Sequence, residues 1–191
     1  MDHPVQIVVE DDLQRSRLTV FFRVLLAIPH LIWLYIWNIA AAIVALVNWF
    51  ATLFTGRSPL GLHNFLERYT RYQVHVFAYV LFVADPYPPF LGEEGSYPVD
   101  LRVAGPEEQS RLTVFFRIIL YIPAGILSSI LNYLSLALAV FAWFVCLALG
   151  RMPEGMRNLQ AFSLRYHAQA QAYLYLLTPR YPSLNVGLTT T

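Results

Sequence analysis

The eight residues Ser16-Arg17-Leu18-Thr19-Val20-Phe21-Phe22-Arg23 return unchanged as Ser110-Arg111-Leu112-Thr113-Val114-Phe115-Phe116-Arg117. The offset of 94 residues then holds without a gap, and 29 of the 75 positions in 16–90 are identical to their mates in 110–184. The chain is one unit used twice, divided as 1–93 and 94–191, and its fold is expected to carry internal pseudo-symmetry. Duplication by itself names no activity.

Behind each octapeptide lies a long apolar block. Residues 24–54 and 118–149 contain no Asp, Glu, Lys or Arg. Each block exceeds the roughly 18 apolar residues that suggest a bilayer-embedded helix. A soluble chain of 191 residues could bury one such helix, but two are hard to hide. The first block is too long for a secretory signal and follows an acidic polar stretch. Composition agrees: 13 % of residues are charged, against roughly a quarter in soluble domains. All thirteen basic residues are Arg, whose planar fork suits phosphate headgroups. The single cysteine, Cys146, falls in the second block and reads as a small core hydrophobe.

Each unit opens with a period-two pattern. Val5, Ile7 and Val9 form one alternating set, and Val99, Leu101 and Val103 the other. This predicts a short strand per unit, with its own copy as the natural pairing partner. In the octapeptide, Leu18, Phe21 and Phe22 share a helical face between Arg17 and Arg23. That suits a helix entering through the headgroup layer, with arginines snorkelling to phosphate. Pro29 and Pro123 predict a kink or junction just inside.

The block then poses a length problem. The 37 residues from Leu18 to Phe54 would make a straight helix of roughly 55 Å, against a hydrocarbon core of about 30 Å. Either residues 16–28 lie in the interface and 30–55 cross once, or the block is a hairpin turning near Asn38, with Asn132 as its copy. Arginines at both ends of the block favour the hairpin, with both ends cytoplasmic. The absence of Gly or Pro from 31 to 54 opposes it. Hairpins would make the repeats parallel, and single crossings would make them inverted.

Gly56-Arg57-x-Pro59 and Gly150-Arg151-x-Pro153 predict helix stops. Second helices are expected at about 62–84 and 156–178, amphipathic and lying on the membrane surface or on the hairpins. Each unit closes with an extended, proline-bearing segment, 87–90 or 181–184. Residues 91–97 read as a polar linker and 185–191 as a loose tail.

These pieces together resemble the bacterial membrane proteins grouped as domain of unknown function 4389. The resemblance rests on Ala27-Ile28-Pro29-His30, on Leu53-Phe54-Thr55-Gly56-Arg57-x-Pro59, and on Asp85-x-Tyr87-Pro88-Pro89-Phe90. It covers about 4–90 well and 98–184 more loosely, as in tandem two-copy members. In the second copy Ala124-Gly125 replaces His30-Leu31, Leu149 replaces Thr55, and Pro179 replaces Asp85. The resemblance implies membrane location and no particular chemistry.

No nucleophile–base pair, phosphate-cradling Gly loop or zinc spacing stands out. His3, His30, His63, His75 and His167 have no histidine at their repeat mates, so a symmetric bis-His site is not expected. Coupled transport normally places an ionisable group at membrane depth, and the blocks offer only Asn38, Asn48, Asn132 and small hydroxyls. Four arginine pairs recur in both units: Arg17/Arg111, Arg23/Arg117, Arg57/Arg151 and Arg71/Arg165. They are the candidate anionic-lipid contacts.

The sequence thus predicts a mainly α, integral membrane protein of two tandem pseudo-symmetric repeats. Each repeat holds a short β-strand, a long kinked or hairpin membrane helix block and an amphipathic helix. It is expected to be non-catalytic and cofactor-free, a multi-pass scaffold or accessory subunit of the inner (cytoplasmic) membrane. Its partners would be membrane lipids and a membrane protein or second copy, not nucleic acid. The alternative is lipid binding or small-solute transport in a groove between the repeats.

Overall fold

The computed structural model describes residues 3–185. The tail expected to be loose lies outside them but for Asn185. In chain order the elements are β1 (Val5–Val9), α1 (Arg17–Thr55), α2 (Leu60–Val80), β2 (Val99–Val103), α3 (Arg111–Phe115), α4 (Arg117–Leu149) and α5 (Glu154–Leu174).

The hairpin expectation is overturned. α1 is one helix of 39 residues that runs through Pro29 and Asn38. With no Gly or Pro from 31 to 54, nothing breaks the backbone ladder. Asn38 caps no turn; its side-chain oxygen accepts from the Tyr69 hydroxyl on α2 at 2.9 Å. Ser16 caps the start, accepting from the Thr19 amide. Gly56 ends α1 at φ 79° and Gly150 ends α4 at φ 68°, a left-handed turn that glycine adopts without strain. The second copy of the octapeptide breaks once, at Phe116, so that α3 precedes α4. Its eight residues are identical to those of the first copy, so the difference arises from their surroundings.

The two units are interleaved about a pseudo-two-fold axis, and the bonds come in reciprocal pairs. β1 and β2 pair antiparallel with Ile7 opposite its own mate Leu101. The Arg15 amide donates to the Gly150 carbonyl at 3.0 Å, and the Gln109 amide to the Gly56 carbonyl at 2.8 Å. Trp143 donates its indole N–H to the Val20 carbonyl at 3.0 Å, and Trp49 donates to the Val114 carbonyl at 2.8 Å. Each second bond is the first with both residues moved to their mates, the signature of an isologous interface. α1 and α4 therefore run antiparallel, the start of one against the end of the other. α2 and α5 are also antiparallel, with Phe77 on His167 and Tyr69 on Tyr175.

Along this axis the elements stack in layers. The ribbon β1–β2 packs on α2 and α5, and these pack on α1 and α4. Of the two placements expected for α2 and α5, on the membrane surface or on the long apolar blocks, the second holds: they pack on α1 and α4, and the ribbon over them makes them the middle layer. Leu66, Tyr72, Tyr79, Ala161, Ala168 and Ala172 are buried there, with Ile7 and Leu101 covering them from the ribbon. α1 buries only a narrow stripe: Val20, Arg23, Ala27, His30, Leu34, Ala41, Asn48 and Thr52. Its spacings of three, four and seven keep one line of the helix inward. The outer face of α1 exposes Leu25, Ile32, Ile36, Ile43, Val47 and Phe50, and α4 exposes Ile119, Ile126, Leu134 and Phe141.

Candidate functional site

The eight arginines common to both units divide into two sets. Arg23, Arg71, Arg117 and Arg165 are buried, which corrects their assignment as headgroup contacts. Arg23 is 1 % exposed. It donates to the Tyr79 carbonyl at 2.7 Å, the Ala84 carbonyl at 3.1 Å and Asp85 Oδ1 at 2.6 Å. Its guanidinium lies 4.4 Å from the ring centres of Tyr79 and Phe82. It thus gathers carbonyls at and just past the end of α2, where a cation also suits the helix dipole. Asp85 accepts in addition from the Ser16 amide at 3.1 Å, joining the end of α2 to the start of α1.

Arg117 repeats this placement with different partners. It donates to the side-chain oxygen of Gln109 and lies 4.0 Å over Tyr173, the mate of Tyr79. Pro179 stands where Asp85 stands in the first unit, and among the described residues no carboxylate pairs with Arg117. Arg71 donates to Glu67 at 2.5 Å, to the Leu101 carbonyl at 3.0 Å and to the Gly92 carbonyl at 3.3 Å. It ties α2 to the ribbon and to the linker. That linker presses so close that a Cβ on Gly92 would meet the Arg68 carbonyl oxygen at 2.0 Å. Arg165 is buried against Phe162.

The other four are exposed at the ends of the long helices. Arg17 donates to the Ala148 carbonyl at 3.0 Å, and Gln14 bridges backbone to backbone with Arg151. At the opposite end Arg57 donates to the Pro106 carbonyl at 3.0 Å and bridges with Glu108, beside Arg111. So the exposed arginines form two symmetry-related pairs, Arg17 with Arg151 and Arg57 with Arg111. Beside Arg57 a notch of about 490 Å³ is lined by Thr55, Ser58, Pro59, Leu60 and Pro106.

Each histidine meets a protein partner. His30 Nδ1 lies 2.7 Å from the Tyr72 hydroxyl, with its ring stacked on Phe90. His63 approaches the Leu177 carbonyl, and burial pushes its pKa down, partly opposed by that carbonyl and Glu67. His167 meets Ser128, and His3 lies beside Val5. His75 Nε2 is 3.0 Å from Asp100 Oδ1, and Asp100 also accepts from the Gly95 and Leu101 amides. Burial raises the Asp100 pKa, but the bonds from His75 and the two amides outweigh it and hold the carboxyl below its ordinary value. Gln169, the mate of His75, instead donates to the Val5 carbonyl at 3.1 Å. Among the described residues no three His, Cys, Asp or Glu side chains converge as a metal set.

Arg15 was not singled out by the sequence, because its mate is Gln109. It is buried, pairs with Asp11 at 2.7 Å and donates to the Phe82 and Val83 carbonyls. Gln109 does the same at the other unit, donating to the Leu176 carbonyl at 2.7 Å. Phe82 and Leu176 are themselves mates, both left-handed at φ 62°, a strained backbone for such side chains.

The chain is thus a duplicated, mainly helical protein with two helices long and apolar enough to cross a membrane. It belongs to the family described as Domain of unknown function (DUF4389), whose model matches twice, over 17–92 and 111–184. No curated protein and no solved structure matches it.

Proposed function

We propose that this protein is a non-catalytic scaffold or accessory subunit held in the cytoplasmic membrane by α1 and α4. The observation that carries this is exposure. Only 17 % of the most apolar window of α1 and 22 % of that of α4 is buried within the chain. The apolar core helix of a soluble protein would be largely buried, and contiguous exposed apolar surface of this size marks a membrane or partner interface. Each exposed Leu, Ile or Phe would gain on the order of 1 kcal/mol on leaving water, and more than twenty lie on these two helices. The exposed arginines favour a polar side facing the cytoplasm.

The test is fractionation followed by purification. The protein should stay with membranes through an alkaline carbonate wash, leave them with detergent, and carry a stoichiometric protein partner or second copy in mild detergent. Release by carbonate alone would defeat the membrane reading. A second reading, lipid binding or small-solute transport at the junction of the units, draws on the notch beside Arg57. Co-purification of anionic lipid alone, lost on joint change of Arg57 and Arg151 to Gln, would favour it.

A further inference from the structure

We infer that α1 and α4 lie in the plane of the membrane, immersed in one leaflet with the pseudo-two-fold axis along the membrane normal, rather than crossing it. This rests on the membrane reading above and goes beyond it: the partner of the α1/α4 face is a single lipid leaflet.

Three observations converge. The first is length. The charge-free run of each long helix, 24–56 and 118–150, is 33 residues, or about 50 Å. Fitting 50 Å into about 30 Å of hydrocarbon requires a tilt of about 53°, beyond the usual range of roughly 0–40°. A helix lying flat is about 10 Å thick, which fits within one leaflet of about 15 Å.

The second is the direction of the axis. It passes through the Ile7–Leu101 pair of the ribbon, between the antiparallel α2 and α5, and between the antiparallel α1 and α4. The ribbon occupies one end of the axis and the long helices the other. The apolar surface is therefore an end face of the protein, not a belt around it.

The third is charge. On the ribbon side exposed charges of both signs are mixed, Glu10, Glu93 and Glu94 with Arg68, Arg102 and Arg180. The exposed arginine pairs Arg17/Arg151 and Arg57/Arg111 flank the apolar face at both ends. In the plane of a leaflet all four reach the same layer of headgroup phosphates, where positive charge is complementary. In a crossing orientation the two pairs face opposite sides of the membrane.

Gln14 and Glu108 are exposed mates at opposite ends of the long helices. Gln14→Cys and Glu108→Cys, each in a Cys146→Ala background, are probed with a membrane-impermeant maleimide on sealed vesicles of both orientations. Labelling of both from the same side is expected, and labelling from opposite sides overturns the inference. A second readout uses spin labels at Leu25, Ile36 and Val47, which share the face opposite the buried stripe. Equal depths in one leaflet support the in-plane placement. A gradient passing through the bilayer centre overturns it while leaving the membrane reading intact. Release from membranes by carbonate instead removes the membrane reading itself.

Discussion

Arg23 and Asp85 show how a buried charge is kept in this protein. The guanidinium is fully enclosed, and the carboxylate side chain is 24 % exposed. Breaking a buried pair by removing one partner costs about 3–5 kcal/mol, and the exposure of Asp85 discounts that. Asp85→Asn is expected to destabilise by about 2 kcal/mol, read as a lower thermal midpoint by circular dichroism in detergent. Arg23→Met combined with Asp85→Asn should not recover the loss, because the Tyr79 and Ala84 carbonyls then lose the donor that Arg23 supplies. Asp100 gives a second residue-scale expectation. Its pKa is depressed in the folded protein, so its contribution is present above the usual carboxylate range of about 4 and is lost as pH falls through the lower folded value. Asp100→Asn should cost about 2 kcal/mol at pH 7 and flatten the acid limb of a midpoint-against-pH curve.

At the scale of the element, the glycines that end the long helices are the clearest control points. A Cβ at a left-handed position costs roughly 1 kcal/mol, so Gly56→Ala and Gly150→Ala should each lower stability by about that much, measured by denaturant unfolding in micelles. These stops were legible in the sequence because glycine followed by proline has a local cause. The strands and their pairing were legible for a similar reason: period two, and a copy to pair with. The middle layer was not. α5 carries Gln160, Gln169 and Gln171, a composition that reads as surface. The structure buries all three, with Gln160 donating to the Ser135 carbonyl at 2.9 Å and Gln169 to the ribbon. Polar satisfaction across elements leaves no periodic trace in one element's sequence. The same holds for Arg23 and Arg117, flanked by apolar residues as snorkelling arginines are, yet turned inward to the Tyr79 and Ala84 carbonyls and to Gln109. The hairpin failed because Asn38 has two uses, a turn or a partner. Only the position of Tyr69 decides between them.

For the whole molecule, duplication leaves a test that no single-unit protein offers. The bonds from Trp49 to Val114 and from Trp143 to Val20 clamp the two ends of the antiparallel pair. Phe at either position keeps an aromatic ring but removes the indole donor and part of its packing on Phe115 or Phe21, so each substitution should cost at least the roughly 1 kcal/mol of the hydrogen bond. If the pseudo-symmetry governs stability as it governs geometry, Trp49→Phe and Trp143→Phe should cost similar amounts. Because they act at opposite ends and share no partner, the double variant should cost their sum within about 0.5 kcal/mol. Unfolding of the four proteins in one detergent measures this directly. A large excess in the double variant would mean that one clamp holds the helices once the other is lost, which makes the α1/α4 face a single cooperative surface. Simple additivity would mean that the α2, α5 and ribbon layers already fix both helices, and that the indoles only adjust their ends.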